Sequence, residues 1–120
     1  MDINYQYSDI RPEFVTCDRN LGRKEYTLSF DVEELAAKEK SDGRKFKYLV
    51  VTLLPGIYNR GAVIARLVSS RYSNDEMQAI VNNYLLDEGD EEVVAEFKAM
   101  QDWRKHCKKI ADEFLAAIAN

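Results

Sequence analysis

The chain reads as an α+β domain, with a small antiparallel sheet drawn from residues 1–56 and three helices from residues 59–120, the last one long. Three observations predict this. Residues 25–30 alternate apolar and polar side chains with the period of a strand buried on one face. Residues 46–54 are β-branched and nearly continuous in apolar character, between Ser41-Asp42-Gly43 and Pro55-Gly56. From Asp90 onward, apolar residues recur at helical spacing almost to the last residue.

Taken in order, residues 14–17 (Phe-Val-Thr-Cys) form a short strand, and residues 18–24, with Asn20 and Gly22, supply turn chemistry. In the next strand Tyr26, Leu28 and Phe30 share one face, with Thr27 and Ser29 on the other. Asp31 then resembles a helix cap, with Glu34 three residues on, and predicts a short helix through Lys40. Residues 46–54 are the central strand, ended by Pro55-Gly56.

Asn59 caps a helix over residues 60–71, whose Val63, Ile64, Leu67 and Val68 make a broad apolar face. Ser73 and Glu76 form a capping box, with Tyr72 and Met77 at the hydrophobic staple positions. The following helix carries Met77, Ile80, Val81, Tyr84 and Leu85 on one face and turns Gln78, Asn82 and Asn83 toward solvent or a partner. Asp87-Glu88-Gly89 ends it, and Asp90 caps the last helix. There, Val93, Phe97, Met100, Trp103, Cys107, Ile110, Ala111, Phe114, Leu115 and Ile118 fall within an arc of roughly 140°.

Composition narrows the functional classes. At 120 residues the chain fits one domain, and 46% apolar with 32% charged residues is a globular balance. A chain of this length buries roughly two-thirds of its unfolded surface and needs neither disulfides nor metal to fold. The net charge of −4, from seventeen basic and twenty-one acidic residues, argues against non-specific binding to nucleic acid or an anionic membrane. Cys17 and Cys107 sit far apart with no framework around them, which suits free thiols in a reducing compartment. Residues 1–5 lack the basic and apolar regions of a secretory signal, and the apolar run at 48–54 is far short of a membrane span. The expected location is cytoplasmic.

No catalytic, cofactor or metal motif stands out. His106 is the single histidine, and its neighbour Cys107 points about 100° away around the same helix, so the two do not form a Cys–His pair. Cys107 lies on the apolar stripe, where an inert buried thiol is the ordinary state. The cysteines and histidine lack zinc spacing, and the acidic run at 87–92 lacks the alternating order of a calcium loop. Residues 56–63 sit where a phosphate-binding loop would, but Ala62 and Val63 replace its lysine and hydroxyl. With twenty-one acids a carboxylate pair is available in principle, yet nothing selects one.

Two functional readings remain, an interaction or assembly protein and a DNA-binding regulator. Helices 60–71 and 74–86, joined by a tight connection, match a helix-turn-helix in outline, with Gln78, Asn82 and Asn83 placed to reach base edges. Asp75 and Glu76 in the first turn would face phosphates, which counts against it. The last helix favours interaction. About thirty residues span roughly 45 Å, against a diameter of about 35 Å for a compact chain of this length. Glu96 and Arg104 interrupt its stripe, too far apart to pair directly, and with Trp103, Phe114 and Ile118 they are the expected interface with a protein partner or a second copy.

The run Tyr72-Ser73-Asn74-Asp75-Glu76-Met77-Gln78-Ala79-Ile80-Val81-Asn82-Asn83-Tyr84-Leu85-Leu86 and the later Phe97-Lys98-Ala99-Met100-Gln101-Asp102-Trp103-Arg104 resemble a group of small uncharacterised proteins from gut-type anaerobic bacteria, some carried on prophage-like or mobile elements. The likeness spans roughly residues 46–115. It implies no activity or site, and points toward an accessory or assembly role rather than an enzyme.

Overall fold

Strands fill the first half of the chain and α-helices the second: β1 (Gln6–Ser8), β2 (Val15–Asn20), β3 (Arg23–Glu34) and β4 (Phe46–Leu53), then α1 (Arg60–Ser69), α2 (Asn74–Leu86) and α3 (Glu91–Ile118). The computed structural model describes residues 5–20, 23–40, 43–53 and 59–119. The sheet order is β1-β4-β3-β2 with every neighbour antiparallel. The α+β architecture is the one the patterning predicts, and β4 lies inside the sheet as its apolar run demands. Leu54, Pro55-Gly56 and the first residues of the glycine-containing loop lie outside the described residues, as do Leu21-Gly22, Ser41-Asp42 and residues 1–4.

Three local expectations change. β1 had no sequence signal, because three residues are too few to show a period; it exists by pairing Gln6, Tyr7 and Ser8 with Tyr48, Lys47 and Phe46. The presumed turn at residues 18–24 is mostly ladder, with Asp18 opposite Glu25, Arg19 opposite Lys24 and Asn20 opposite Arg23. Backbone pairing needs no apolar side chains, so a polar hairpin end leaves no hydrophobic trace.

The third change is the largest. The expected helix from Asp31 to Lys40 is absent, and β3 instead runs through to Glu34, leaving only a 3₁₀ turn at Ala37–Glu39. Asp31 takes φ 54°, and the register with β4 shifts between Phe30 and Glu33. The left-handed conformation costs most residues roughly 1–2 kcal/mol, and aspartate is among the few that adopt it routinely. Beyond this bulge the strand resumes, with Glu33 opposite Lys47 and their side chains paired at 3.3 Å. Leu35 N–H donates to Lys45 O at 2.9 Å, and its side chain is buried. Partners already present on β4 thus outweigh a local capping preference.

The antiparallel register sets Leu28 beside Val51, Tyr26 beside Leu53 and Phe30 beside Leu49 on one sheet face. On that face lie Val63, Leu67 and Val68 of α1, then Met100, Trp103, Cys107, Ile110, Ala111 and Phe114 of α3. Tyr26 meets Phe114 edge-on, with centroids 5.4 Å apart. Burying each large apolar side chain contributes roughly 1.5–3 kcal/mol. The helix starts follow their capping residues: Asn59 accepts from Ala62 N–H at 2.9 Å, and Ser73 and Glu76 form the complete box. Asp90 accepts from Glu92 and Val93 N–H groups. Arg60 Nε, at the head of α1, donates to Asp112 of α3 at 2.8 Å.

Full burial in α3 begins at Met100, with Phe97 half-buried against the core one turn earlier. The first turns of α3 run with α2, where Tyr84 stacks on Phe97 at 4.1 Å. The 28 residues of α3 span about 42 Å, and the molecule measures 48 × 41 × 23 Å with a radius of gyration of 16.8 Å. A compact chain of this length has a radius of gyration of about 14 Å, so the molecule is elongated, one of the outcomes that the length of the helix allows.

Asp31→Ala should lower unfolding stability by about 1–2 kcal/mol, combining the strained φ with a lost hydrogen bond. Asp31→Asn should cost less. Urea denaturation measures both, and an Asp31→Ala midpoint equal to wild type would show that the bulge carries no strain.

Candidate functional site

The residues expected at an interface separate once the helices are packed. Trp103 is 5% exposed and Phe114 0%, so both face the chain's own core. Trp103 also sends its indole N–H to Val68 O at 3.4 Å, joining the end of α1 to α3. Ile118 is half-buried against the core edge. Only Glu96 and Arg104 remain exposed, and they lie on opposite sides of α2.

Helix α2 has no buried residue. Its Met77, Ile80, Val81 and Tyr84 are half-buried, and a groove flanks it on each side. One, of about 470 Å³, separates it from α1 and is lined by Ile64, Val68, Met77, Gln78 and Arg104. The other, of about 480 Å³, lies toward α3, with Tyr72, Ile80, Asn83 and Glu96 in its wall. Helices α1 and α2 each pack on α3, with the first groove between them. Gln78, Asn82 and Asn83 are exposed, as a base-reading helix requires. Their surroundings are acidic.

Between Arg71 and Lys98 there is no lysine, arginine or histidine, while Asp75, Glu76, Asp87, Glu88, Asp90, Glu91, Glu92 and Glu96 all fall there. Residues 72–97 therefore carry −8, and the rest of the chain has seventeen basic against thirteen acidic residues. At the far end of this segment, where α2 turns into α3, Leu85 is 65% exposed and Leu86 85%. Val94, one turn into α3, is 37% exposed. An apolar pair thus lies exposed at an acidic helical tip.

No protein-family model, curated protein or solved structure matches the chain. The tip must be read from its own chemistry. Helical periodicity placed Leu85 on the packing face of α2, yet at the C-terminal end of that helix it is 65% exposed. The exposed pair was legible only as two more apolar residues. Among the described residues no three histidine, cysteine, aspartate or glutamate side chains converge as a metal site, and no helix is long and apolar enough to cross a membrane.

One polar pair was invisible in sequence. His106 Nε2–H donates to Asp31 Oδ1 at 2.6 Å, joining residues 75 positions apart. Each side chain is about one-third exposed. Such a dyad can orient an imidazole for proton transfer, but the neighbouring thiol is not its nucleophile. Cys107 turns into the core, and burial, reinforced by the Asp31 charge and partly offset by Arg71, pushes its thiol up to about 12. The pair instead braces the β3 bulge against α3.

Because Cys107 holds its proton more tightly in the folded state, that part of the stability is complete below the unfolded thiol range and is lost as pH rises through it toward 12. A disulfide reagent at pH 8 should modify the exposed Cys17 quickly and Cys107 only after denaturant is added. Two thiols reacting at one rate in the native protein would contradict the burial of Cys107.

Proposed function

We propose that this chain is a small cytoplasmic accessory or assembly protein that docks the acidic α2–α3 tip onto a basic, apolar-centred surface of another protein. The observation that carries the reading is the exposure of Leu85 and Leu86, 65% and 85%, in a segment with eight acidic residues and no basic one. Exposed leucines on a helix end gain roughly 1.5–3 kcal/mol each when a partner covers them. The surrounding carboxylates steer approach toward positive charge and select against like-charged surfaces. Two such tips repel each other, so a second copy of the same tip is a poor occupant.

The helix-turn-helix reading has the exposed Gln78, Asn82 and Asn83 in its favour. It has against it a helix without a basic residue and a first turn carrying Asp75 and Glu76. Duplex DNA would meet carboxylates where it needs cations.

The test is a photo-reactive amino acid at position 86 in the producing cells, with a second at exposed Lys105 as control. A discrete cross-linked protein at 86 alone is expected. Purified with this chain, it should bind at least tenfold more weakly to the Leu85→Glu/Leu86→Glu variant, and more slowly at high salt. Both changes are at exposed positions, so stability should move by no more than about 0.5 kcal/mol per site. Equal cross-linking at both positions, or a partner indifferent to the double variant, would remove the tip from the interface. Light scattering over a range of concentrations should give a monomer. A dimer lost in the double variant would make the partner a second copy.

A further inference from the structure

Away from the acidic tip, a cleft of about 220 Å³ lies between β4 and the end of α1, with Gln6, Arg66, Ser70, Arg71 and Trp103 in its wall. No carboxylate lines it. Elsewhere Lys40, Lys45, Lys47 and Arg60 each hold an acidic residue within 3.3 Å. Neither Arg66 nor Arg71 forms an ion pair among the described residues, in a chain with an excess of acids.

Arg71 is the more informative of the two. Its guanidinium carbon stands over the Trp103 ring, 4.9 Å from the ring centroid. Its Nε is buried and has no acceptor. A buried donor left unmade is costly and calls for an acceptor. Glu76 and Glu96 edge the groove on the other side of Arg71, yet neither pairs with it. Arg66 has an ordinary explanation, since it sits in the last turn of α1 where the helix dipole favours a cation. The dipole does not explain a buried Arg71 Nε.

We propose that this cleft binds a compact oxyanion, a phosphate or carboxylate group, held by Arg66 and Arg71 over Trp103. The guanidinium fork suits two oxygens of one group, and the contact with the indole helps to hold it in place. Charge-assisted hydrogen bonds are worth roughly 1.5–3 kcal/mol each, more than the 0.3–1 kcal/mol or so by which the end of a helix disfavours an anion. Gln6 adds a neutral amide donor. The volume admits the anionic group and a few attached atoms, less than the roughly 300 Å³ at which pockets for larger ligands begin.

Trp103 is the single tryptophan, so its emission reports on the cleft directly. The full chain is titrated with inorganic phosphate, with sodium acetate and with sodium chloride at matched ionic strength. A saturable change with phosphate is expected, absent with chloride and weakened at least tenfold by Arg66→Gln. Saturation by acetate alone would identify the group as a carboxylate, and the same loss in Arg66→Gln would support the site. Arg66 is exposed, so this variant should keep the wild-type circular dichroism and thermal midpoint even if Arg71→Gln fails to fold. Equal, non-saturating responses to all three salts, or an Arg66→Gln titration matching wild type, would overturn the proposal.

Discussion

The whole arrangement depends on one packed contact, the inner face of the β3–β4 pair against the C-terminal two-thirds of α3. Leu28, Val51 and Leu53 lie almost entirely out of water, as do Met100, Cys107, Ala111 and Phe114 opposite them. A helix whose full burial is confined to one part of its length leaves its other end less covered. Helix α2 goes with that end, because α3 is the element α2 packs on most. Elongation, the loosely held helix and the exposed leucines are consequences of that single anchorage.

Charge follows the same division. The rest of the molecule is net basic, and the less covered segment holds eight acidic residues with no counter-charge of its own. Some of these acids do local work: Glu76 closes a capping box and Asp90 caps α3. Glu91 and Glu92 favour the positive end of the α3 dipole. Helix chemistry accounts for their presence without accounting for the missing cations, and this one-sidedness turns a capped hairpin into a surface with a preferred partner charge. Arg66 and Arg71 lie back toward the sheet, so the proposed docking tip and the proposed anion cleft are separate places on the molecule.

The bulge in β3 shows how a tertiary contact reassigns a local signal. Asp31 and Glu34 have the spacing of a helix start, and in isolation they would favour one. In the folded chain Asp31 adopts a left-handed conformation, receives a hydrogen bond from His106 and lets β3 change register before pairing resumes at Glu33. Two polar residues with no shared motif, 75 positions apart, hold the sheet to the long helix at the point where the strand bends.

Sequence alone determined the fold class, the central strand, all three α-helices and their caps. Those features rest on period, side-chain branching and hydrogen bonds a few residues apart, and Ser73 with Glu76 or Asp90 with Val93 act wherever the chain goes. Tertiary structure decided what no window of residues contains. It drew Trp103 and Phe114 into the core while leaving Leu85 mostly exposed, although all three sit on apolar stripes of the same kind. It created β1, turned a helix signal at Asp31 into a bulge, and set Arg71 over Trp103 with a donor unmet. The reason is reach: a stripe states which side of a helix avoids water, but only the length of the opposing surface decides how much of it is covered.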